Sequence, residues 1–191
     1  MDLVLASTST YRRLLLERLR LPFRCERPGV DEDAVKRSGL APLAVVQELA
    51  RQKARAVAAR CPDAIVVGSD QAAVVDGTIL DKPGTVAAAH AQLGRLAGRT
   101  HTLLTAVAVV HPGGEREFVD TTTLTMRPLH TREIERYVAA ESPLDCAGSY
   151  KIEGLGITLF TRIDSDDHTA IVGLPLLALA QVLRDLDVPL P

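Results

Sequence analysis

The sequence of 191 residues predicts an α/β fold in which a mixed β-sheet is flanked by helices. Residues 65–67 form a short run of β-branched side chains, which suits a strand buried on both faces of a sheet. Residues 42–60 repeat apolar side chains at helical spacing, and two Val- and Thr-rich segments, residues 100–110 and 117–126, flank a Pro-Gly-Gly turn typical of a β-hairpin. No repeat or linker divides the chain, so we predict one domain over residues 1–191.

The other elements follow from the same periodicities and from their end signals. Ser9 and Thr85 are good N-cap residues for two further helices, and Ser142 with Pro143 ends a helix that starts at Thr131. With Thr131 as its cap, that helix would lack the acidic third residue of a capping box. The remaining predictions are strands over residues 3–6, 23–26, 78–80 and 157–163, and a last helix over residues 176–186.

The composition argues against several classes of protein. The formal net charge is -2, whereas a surface that coats nucleic acid normally shows a basic excess, so no nucleic-acid partner is expected. No segment has the apolar length of a membrane span or a signal sequence, so no membrane partner is expected. The three cysteines, Cys25, Cys61 and Cys146, form no CxxC pair, which argues against a zinc site and favours a reduced, cytoplasmic setting.

The stretch over residues 64–71 is the most informative part of the chain. After its apolar run, Gly68 frees the backbone, and Ser69, Asp70 and Gln71 are polar. A carboxylate at the exit of a buried strand lies where open α/β sheets usually bind their ligands. We therefore predict that Asp70 is the catalytic base of a phosphate-processing site.

An anion site is predicted near the start of the chain. The first strand leads through a hydroxyl-rich turn, residues 7–10, into a helix, whose free N–H groups and dipole favour a phosphate. Arg12 and Arg13 stand in the first turn, where the helix dipole disfavours positive charge, so one of them is predicted to serve a ligand. The alternative is an ordinary capped helix whose arginines are solvated.

Other charged positions allow two interpretations. Residues 31–33 are consecutive acids, which form either a solvated loop or, through Glu32 or a neighbour, part of a divalent-metal site. Lys53 lies on the long helix, either as an ordinary surface residue or as a group that neutralises a polyphosphate. Pro83 restricts Lys82 to an extended backbone, which would hold its ammonium outward.

Common nucleotide and hydrolase motifs are missing from the sequence. It contains no GxxxxGK[ST], no GxGxxG after a strand and no GxSxG, and its five histidines show no metal-ligand spacing. What remains is an anion-binding turn, scattered basic residues, acids able to hold a metal, and Asp70. That set suits hydrolysis of a phosphoanhydride, in which a cation and basic groups neutralise oxygens while a carboxylate activates water.

Seven short motifs occur here in the order found in Maf proteins, and the sequence resembles that family from Leu3 to about Leu186. The motifs are Ala6-Ser7-Thr8-Ser9 with Arg12-Arg13, Val30-Asp31-Glu32, Lys53-Ala54, Gly68-Ser69-Asp70-Gln71, Lys82-Pro83, Ala147-Gly148-Ser149-Tyr150 and Val172-Gly173-Leu174-Pro175. The resemblance implies a mixed α/β fold of two lobes around a central cleft, related to the inosine-triphosphate pyrophosphatases. It also implies hydrolysis of a nucleoside triphosphate to the monophosphate and pyrophosphate with a divalent metal, Mg²⁺ or Mn²⁺.

The resemblance also implies roles for individual residues. Asp70 is the expected proton acceptor that activates water, and Glu32 together with Asp70 would face the metal. The residues expected to bind the polyphosphate are Ser7, Arg12, Arg13, Lys53 and Lys82. Because family members are commonly dimers, the resemblance implies a homodimer.

At three positions the sequence resembles the YceF-like branch of the family, and this branch acts on 7-methyl-GTP. They are Tyr11 before the arginine pair, Gln71 where most Maf proteins carry Thr, and Glu153 in a Lys-Ile-Glu-Gly segment. The 7-methylated guanine is positively charged, and an aromatic face attracts such a cation by about 0.5–2 kcal/mol. A carboxylate offsets the same charge and accepts hydrogen bonds from the guanine N1–H and amino groups. The alternative is that Tyr11 packs on its own helix and Glu153 is solvated.

Two other functions stay open from the sequence. One is a pyrophosphatase of the same family that acts on dTTP, UTP or a modified pyrimidine. The other is a non-catalytic nucleotide-binding regulator linked to cell division, against which the presence of Asp70 argues. Thr10 and Asp81 depart from the family pattern of Pro and Gly, which puts loop rigidity in doubt but not the reaction type.

Overall fold

A computed structural model describes residues 2–191. Its strands are β1 (Leu3–Leu5), β2 (Arg24–Cys25), β3 (Ile65–Val75), β4 (Thr78–Leu80), β5 (Thr100–His111), β6 (Gly114–Met126) and β7 (Phe160–Asp164). Its α-helices are α1 (Thr10–Glu17), α2 (Glu32–Lys36), α3 (Pro42–Ala58), α4 (Val86–Leu96), α5 (Thr131–Glu141), α6 (His168–Val172) and α7 (Leu176–Asp185). Among the described residues, none of these helices is both long and apolar enough to cross a membrane.

The strands form a mixed sheet. Its order is β2-β1-β3-β5-β6-β7, and β4 pairs with β3 outside this path. Strand β1 pairs in parallel with β2 and β3, whereas the pairs β3–β4 and β6–β7 are antiparallel. The predicted α/β fold, with a mixed sheet and flanking helices, is confirmed.

The chain divides into two compact units. The first contains the described residues up to Asp70 together with residues 105–120 and 167–191, and the second contains residues 71–104 and 121–166. The boundaries between the units fall within β3, β5 and β6 or beside α6. The assignment of residues 1–191 to one domain stays a prediction.

Both faces of the paired strands β1 and β3 are buried in the first unit. The odd-numbered members of residues 3–5 and 65–67 pack with apolar side chains of α1 and α7, while the even-numbered ones pack with Val57 of α3. Successive side chains of a strand point to opposite faces, so a strand covered on both sides must be apolar at every position. This double burial explains the uninterrupted apolar run that predicted the strand.

Strand β3 approaches α3 very closely at Gly68. A Cβ atom at this position would lie 2.4 Å from the carbonyl oxygen of Ala50 and 2.6 Å from the backbone nitrogen of Ala54. Gly68 is therefore needed because the helix backbone lies directly on the strand. The sequence had suggested backbone freedom as its role, whereas the structure shows a steric one.

The sequence suggests that Asp70 lies at the exit of a strand. In the structure it lies inside β3. The parallel pairing with β1 ends at Val67, and residues 73–75 of the same strand pair antiparallel with β4. The polar residues 68–71 therefore lie between two differently paired parts of one continuous strand. The change of partner arises from long-range pairing, which the local pattern of side chains does not encode.

The predicted starts of three helices are confirmed, including that of α5 at Thr131, while the expected lack of a capping box in α5 is wrong. Ser9 and Thr85 cap α1 and α4 as expected. The N-cap of α5 is His130 and not Thr131, so Glu133 occupies the third helical position, where its carboxylate accepts the His130 N–H at 2.8 Å. The acidic residue that seemed to be missing from this cap is therefore present.

The structure also differs from the sequence prediction in three local elements. The acids at residues 31–33 begin α2, because the Asp31 side chain caps it by accepting the Ala34 N–H at 3.0 Å. The last strand starts at Phe160, since Leu155–Leu159 form a 3₁₀ helix. The short helix α6 was not predicted.

The second unit contains an aromatic cluster of the buried His101 and Tyr150 with the partly buried Phe160. Nε2 of His101 lies 2.9 Å from the Tyr150 hydroxyl, and the ring centroids of Tyr150 and Phe160 are 4.9 Å apart. His101 is 2% exposed, and its burial lowers its pKa from 6.5 to about 4. The histidine is therefore neutral in the folded protein near pH 7.

Replacing Gly68 by Ala is expected to destabilise the protein strongly. The added methyl group would overlap backbone atoms of α3, which cannot rotate away, and overpacking of this kind costs about 1–3 kcal/mol or more. Urea denaturation would measure the free energy of unfolding. Gly94→Ala in α4 is the matched control: its Cβ would meet nothing within 4 Å, so the change should stabilise the helix by roughly 0.5–1 kcal/mol. Equal effects of the two changes would refute the close contact at Gly68.

The stability of the protein is expected to fall as the pH is lowered from 6.5 to about 4, in part because of His101. In that window the unfolded chain protonates this histidine and the folded chain does not, so protons favour unfolding. The contribution of His101 to the free energy of unfolding is fully present above the pKa of this residue in the unfolded chain. It shrinks by up to about 3 kcal/mol as the pH falls to the pKa of His101 in the folded chain. Free energies of unfolding measured across the window should depend less on pH in His101→Gln than in the wild type. Parallel pH profiles for the two proteins would contradict the assignment.

Candidate active site

Lys53 joins two carboxylates in the first unit. Its Nζ atom lies 2.7 Å from Oδ1 of Asp70 and 2.7 Å from Oε1 of Glu32. The side chains of Lys53 and Asp70 are 6% and 11% exposed, whereas that of Glu32 is 45% exposed. A buried ammonium needs such partners, because removing a charge from water without pairing it is very costly.

The positions of Lys53 and Asp70 follow from the periods of their two elements. The buried stripe of α3 includes Leu49, Ala50, Lys53, Ala54 and Val57, so the lysine takes a place at helical spacing that is otherwise apolar. Alternation along β3 puts Asp70 on the face of the strand that α3 covers. From the sequence, Lys53 is either a surface residue or a group that binds a ligand. Its place within an otherwise apolar stripe is the signal that favours burial.

Glu32 reaches the site from the first turn of α2. Asp31 fixes the start of this helix through its capping hydrogen bond. A cavity of about 360 Å³ adjoins Glu32, lined by residues 27–33 and Thr8. The solvated-loop interpretation of these acids is therefore replaced by a short helix that aims one carboxylate at Lys53.

The turn before α1 is where an anion site was predicted, and its binding of an anion stays a prediction. Ser7 is buried, and its hydroxyl oxygen accepts the Ser9 N–H at 3.1 Å. Arg12 and Arg13, which the sequence did not distinguish, have different surroundings. Nε of Arg12 donates to the carbonyl oxygen of Gly173 at 3.0 Å, whereas Arg13 is half exposed and lies 3.6 Å from Glu17 on the same helix.

Arg12 is the arginine that lies within electrostatic reach of the carboxylates. Its burial lowers the pKa of the guanidinium, and the negative charges of Asp70 and Glu32 oppose this shift. Arg12 therefore adds a second positive charge to the site around Lys53. The structure gives Arg13 a surface ion pair, and its binding of phosphate stays a prediction.

Gly173 contributes a main-chain group that the sequence did not reveal. Its carbonyl oxygen accepts hydrogen bonds from Nε of Arg12 and from Oγ of Ser69, both at 3.0 Å. Ser69 and Asp70 point to opposite faces of β3, so one residue contacts this carbonyl and the next contacts Lys53. The motif at residues 172–175 was visible in the sequence, but a carbonyl acceptor has no sequence signature of its own.

The two carboxylates suit a divalent metal. Both oxygens lie 2.7 Å from the same ammonium, so they are no further apart than twice that distance. Mg²⁺ is commonly held by one or two carboxylates together with water and substrate phosphates. Within residues 2–191 no group of three or more Asp, Glu, His or Cys side chains could hold a metal. The residues present thus fit a metal whose other ligands are phosphate oxygens and water, and the assignment of Glu32 and Asp70 stays a prediction.

The proposed specificity residues occur in both units. Tyr11 lies on α1 in the first unit and is partly buried. Gln71 in β3 is also partly buried, while Lys82, in the loop before α4, and Glu153 are exposed; these three residues belong to the second unit. The roles of Tyr11, Gln71 and Glu153 in base selection, and of Ser7 and Lys82 in phosphate binding, stay predictions.

The segment that carries Glu153 is fixed by α5. The Tyr137 hydroxyl accepts the Lys151 N–H at 2.9 Å, and the Glu141 carboxylate accepts the Leu155 N–H at 2.8 Å. These two side chains are one helical turn apart and hold the chain two residues before and two residues after Glu153. The exposed carboxylate therefore stands on a backbone that is tied down on both sides.

The first unit brings the predicted base, Asp70, into contact with the predicted phosphate-binding residue Lys53. Lys53 orients Asp70 through one carboxylate oxygen, and a carboxylate has further lone pairs with which it can accept a proton from water. Binding of a polyphosphate by the positive charges of Lys53 and Arg12 stays a prediction. The arrangement is a cluster of acidic and basic side chains in an α/β protein, which is compatible with acid–base chemistry on an anionic substrate.

Comparison with known families identifies the chain more closely. The family model described as Maf-like protein matches residues 2–186, so the chain belongs to the Maf family. The family membership expected from the seven motifs is confirmed.

Several relatives and solved structures are similar to this chain. A protein of Xanthomonas campestris pv. campestris (strain 8004), named 7-methyl-GTP pyrophosphatase, is 54% identical over 99% of this chain and 98% of its own. One of the same name from Aromatoleum aromaticum is 55% identical over 95% and 94%. The crystal structure of a nucleoside-triphosphatase, or dITP/XTP pyrophosphatase, from Mycobacterium abscessus covers 100% of this chain and 98% of its own at 17% identity and a TM-score of 0.48. The family assignment does not depend on this structural likeness.

Proposed function

We propose that this protein hydrolyses 7-methyl-GTP to 7-methyl-GMP and pyrophosphate. The observation that carries the proposal is the buried contact of Lys53 with Asp70, beside Glu32 and within reach of Arg12. This arrangement supports a carboxylate base next to groups that bind a polyphosphate. The name shared by the full-length relatives supports the choice of nucleotide.

Asp70 acts as the base in the proposed reaction. It accepts a proton from water as the water oxygen forms a bond to phosphorus and the bridging bond between the α and β phosphates breaks. Lys53 keeps the carboxylate oriented, and Lys53 and Arg12 offset the negative charge that builds up on the phosphate oxygens. Ser7, Arg13 and Lys82 complete the proposed phosphate contacts.

A divalent cation, Mg²⁺ or Mn²⁺, is part of the proposal. When bound, it supplies charge neutralisation at the phosphate oxygens and lowers the pKa of bound water. Glu32 and Asp70 are the carboxylates that would hold it. A cytoplasmic location and a homodimer are further parts of the proposal that come from the sequence.

Base selection is assigned to Tyr11, Gln71 and Glu153. The methylated guanine is a cation, so an aromatic ring and a carboxylate both favour it over a neutral base. A thymine or uracil gives the Glu153 carboxylate fewer donors to pair with. The hydrogen bonds that Tyr137 and Glu141 accept from the backbone around Glu153 support a defined position for its side chain.

A panel of nucleotides assayed for pyrophosphate release tests the proposal. With Mg²⁺ or Mn²⁺ present, 7-methyl-GTP should be hydrolysed several-fold more efficiently than GTP, UTP or dTTP, because only its base is positively charged. A preference for UTP or dTTP would favour the pyrimidine pyrophosphatase instead. A complete lack of hydrolysis across the panel would favour a non-catalytic nucleotide-binding role.

Asp70→Asn is expected to lower kcat by about 10²–10⁴-fold, since the amide cannot take a proton from water. Its Kd for 7-methyl-GTP, measured by calorimetry, should stay close to that of the wild type. Retention of full turnover would remove Asp70 from the mechanism.

Glu153→Gln is expected to reduce the ratio of kcat/KM for 7-methyl-GTP over UTP, because the amide no longer offsets the charge of the methylated base. The rate with UTP should change much less. Glu135→Gln, an exposed change on α5, serves as the matched control and should leave the ratio unaltered. An unchanged ratio in Glu153→Gln would argue for the pyrimidine alternative.

A further inference from the structure

Two buried side chains of the first unit, Asp167 and Thr169, bond to the starts of both α6 and α7. Each residue is 4% exposed. Oδ1 of Asp167 accepts the N–H of Thr169 at 2.9 Å and its hydroxyl at 2.6 Å, while Oδ2 accepts the Leu177 N–H at 2.7 Å. Oγ1 of Thr169 in turn accepts the Leu176 N–H at 2.8 Å. One carboxylate and one hydroxyl therefore tie the start of α6 to the start of α7, across the turn at residues 173–175.

This turn carries the carbonyl group that Arg12 and Ser69 share. Gly173 has a φ of 123°, which side-chain-bearing residues rarely adopt, and its N–H donates to the Ala170 carbonyl at 3.0 Å. The direction of its own carbonyl is thus set by the turn that ends α6 and leads into α7. A displaced turn would displace the acceptor of both Arg12 and Ser69.

The hydrogen bond from Arg12 to this carbonyl uses Nε. A guanidinium group is planar and rigid, so a bond at Nε also fixes the plane in which its two terminal nitrogen atoms lie. Binding of a phosphate by two parallel hydrogen bonds depends on that plane. The bond from Ser69 fixes the residue next to Asp70 against the same oxygen.

We propose that Asp167 and Thr169 are positioning residues of the polyphosphate site. By fixing the Gly173 carbonyl, they set the orientation of Arg12 relative to the part of β3 that carries Asp70. The proposal rests on the proposed function in one respect, the binding of phosphate by Arg12. A purely structural role would lower stability without a specific loss of phosphate affinity.

Inorganic pyrophosphate is the probe for this proposal, because its binding does not involve the nucleotide base. Thr169→Val removes the hydroxyl that both donates to Asp167 and accepts from Leu176, and the Kd for pyrophosphate, measured by calorimetry with Mg²⁺, is expected to rise about tenfold. Thr169→Ser keeps the hydroxyl and should restore the wild-type value. Thr122→Val is the matched control: it removes another buried threonine hydroxyl, which donates to Ser165 at 3.1 Å in the second unit. It should leave the Kd unchanged.

A double-mutant cycle with Arg12→Gln tests whether Thr169→Val lowers the affinity for pyrophosphate by changing the orientation of Arg12. If it does, Thr169→Val should add little to the loss of affinity already caused by Arg12→Gln, since no guanidinium remains to be oriented. Thermal denaturation of each variant separates a loss of fold from a loss of affinity. Additive losses in the cycle would overturn the proposal, as would a Thr169→Val protein that is less stable yet binds pyrophosphate like the wild type.

The pyrophosphate-binding cycle and the nucleotide panel test two different claims, the positioning role and the proposed function. A wild-type protein that hydrolyses no nucleotide would refute the proposed function, while the pyrophosphate cycle would still decide whether Thr169 acts through Arg12. A wild-type protein that hydrolyses nucleotides but gives an additive cycle would keep the function and refute the positioning role. Failure of the wild type to bind pyrophosphate at all would overturn the positioning role, because Arg12 would then bind no polyphosphate.

Discussion

The contact of Lys53 with Asp70 and Glu32 is the constraint on which the candidate active site depends. A lysine that is 5% exposed must keep its charge paired, so α2, α3 and β3 have to bring their side chains to one point. Gly68 makes this possible, because a side chain there would push α3 away from the strand. The pairing of Lys53 with the carboxylates therefore depends on the close packing of α3 on β3.

Strand β3 serves the site through both of its faces. Ser69 contacts the Gly173 carbonyl on one side, and Asp70 contacts Lys53 on the other. Arg12 bonds to the same carbonyl while lying within reach of the two carboxylates. A polyphosphate bound here would meet groups whose positions are set by backbone atoms and buried polar contacts, which suits the preorganisation that phosphoryl chemistry needs.

Much of the fold and part of the site could be predicted from local patterns. The strand at residues 65–67 and the helix caps at Ser9 and Thr85 came from short stretches of sequence. The place of Asp70 within its strand could not be predicted this way, because β3 changes partner from β1 to β4 around it. The different surroundings of Arg12 and Arg13 could not be predicted from local patterns either, because Arg12 bonds to a carbonyl 161 residues further along the chain.

The sequence by itself determined the family, the types of residue available for chemistry and most of the strands and helices, because these depend on composition, periodicity and motif order. Only the tertiary structure decided that Lys53 is buried between two carboxylates, that Arg12 bonds to Gly173 while Arg13 pairs with Glu17, and that the Gly173 carbonyl holds Arg12 and Ser69. The physical reason is that burial and hydrogen bonding are properties of the packed chain. A residue's type limits which partners it can have, but the packing of distant segments selects the one it meets.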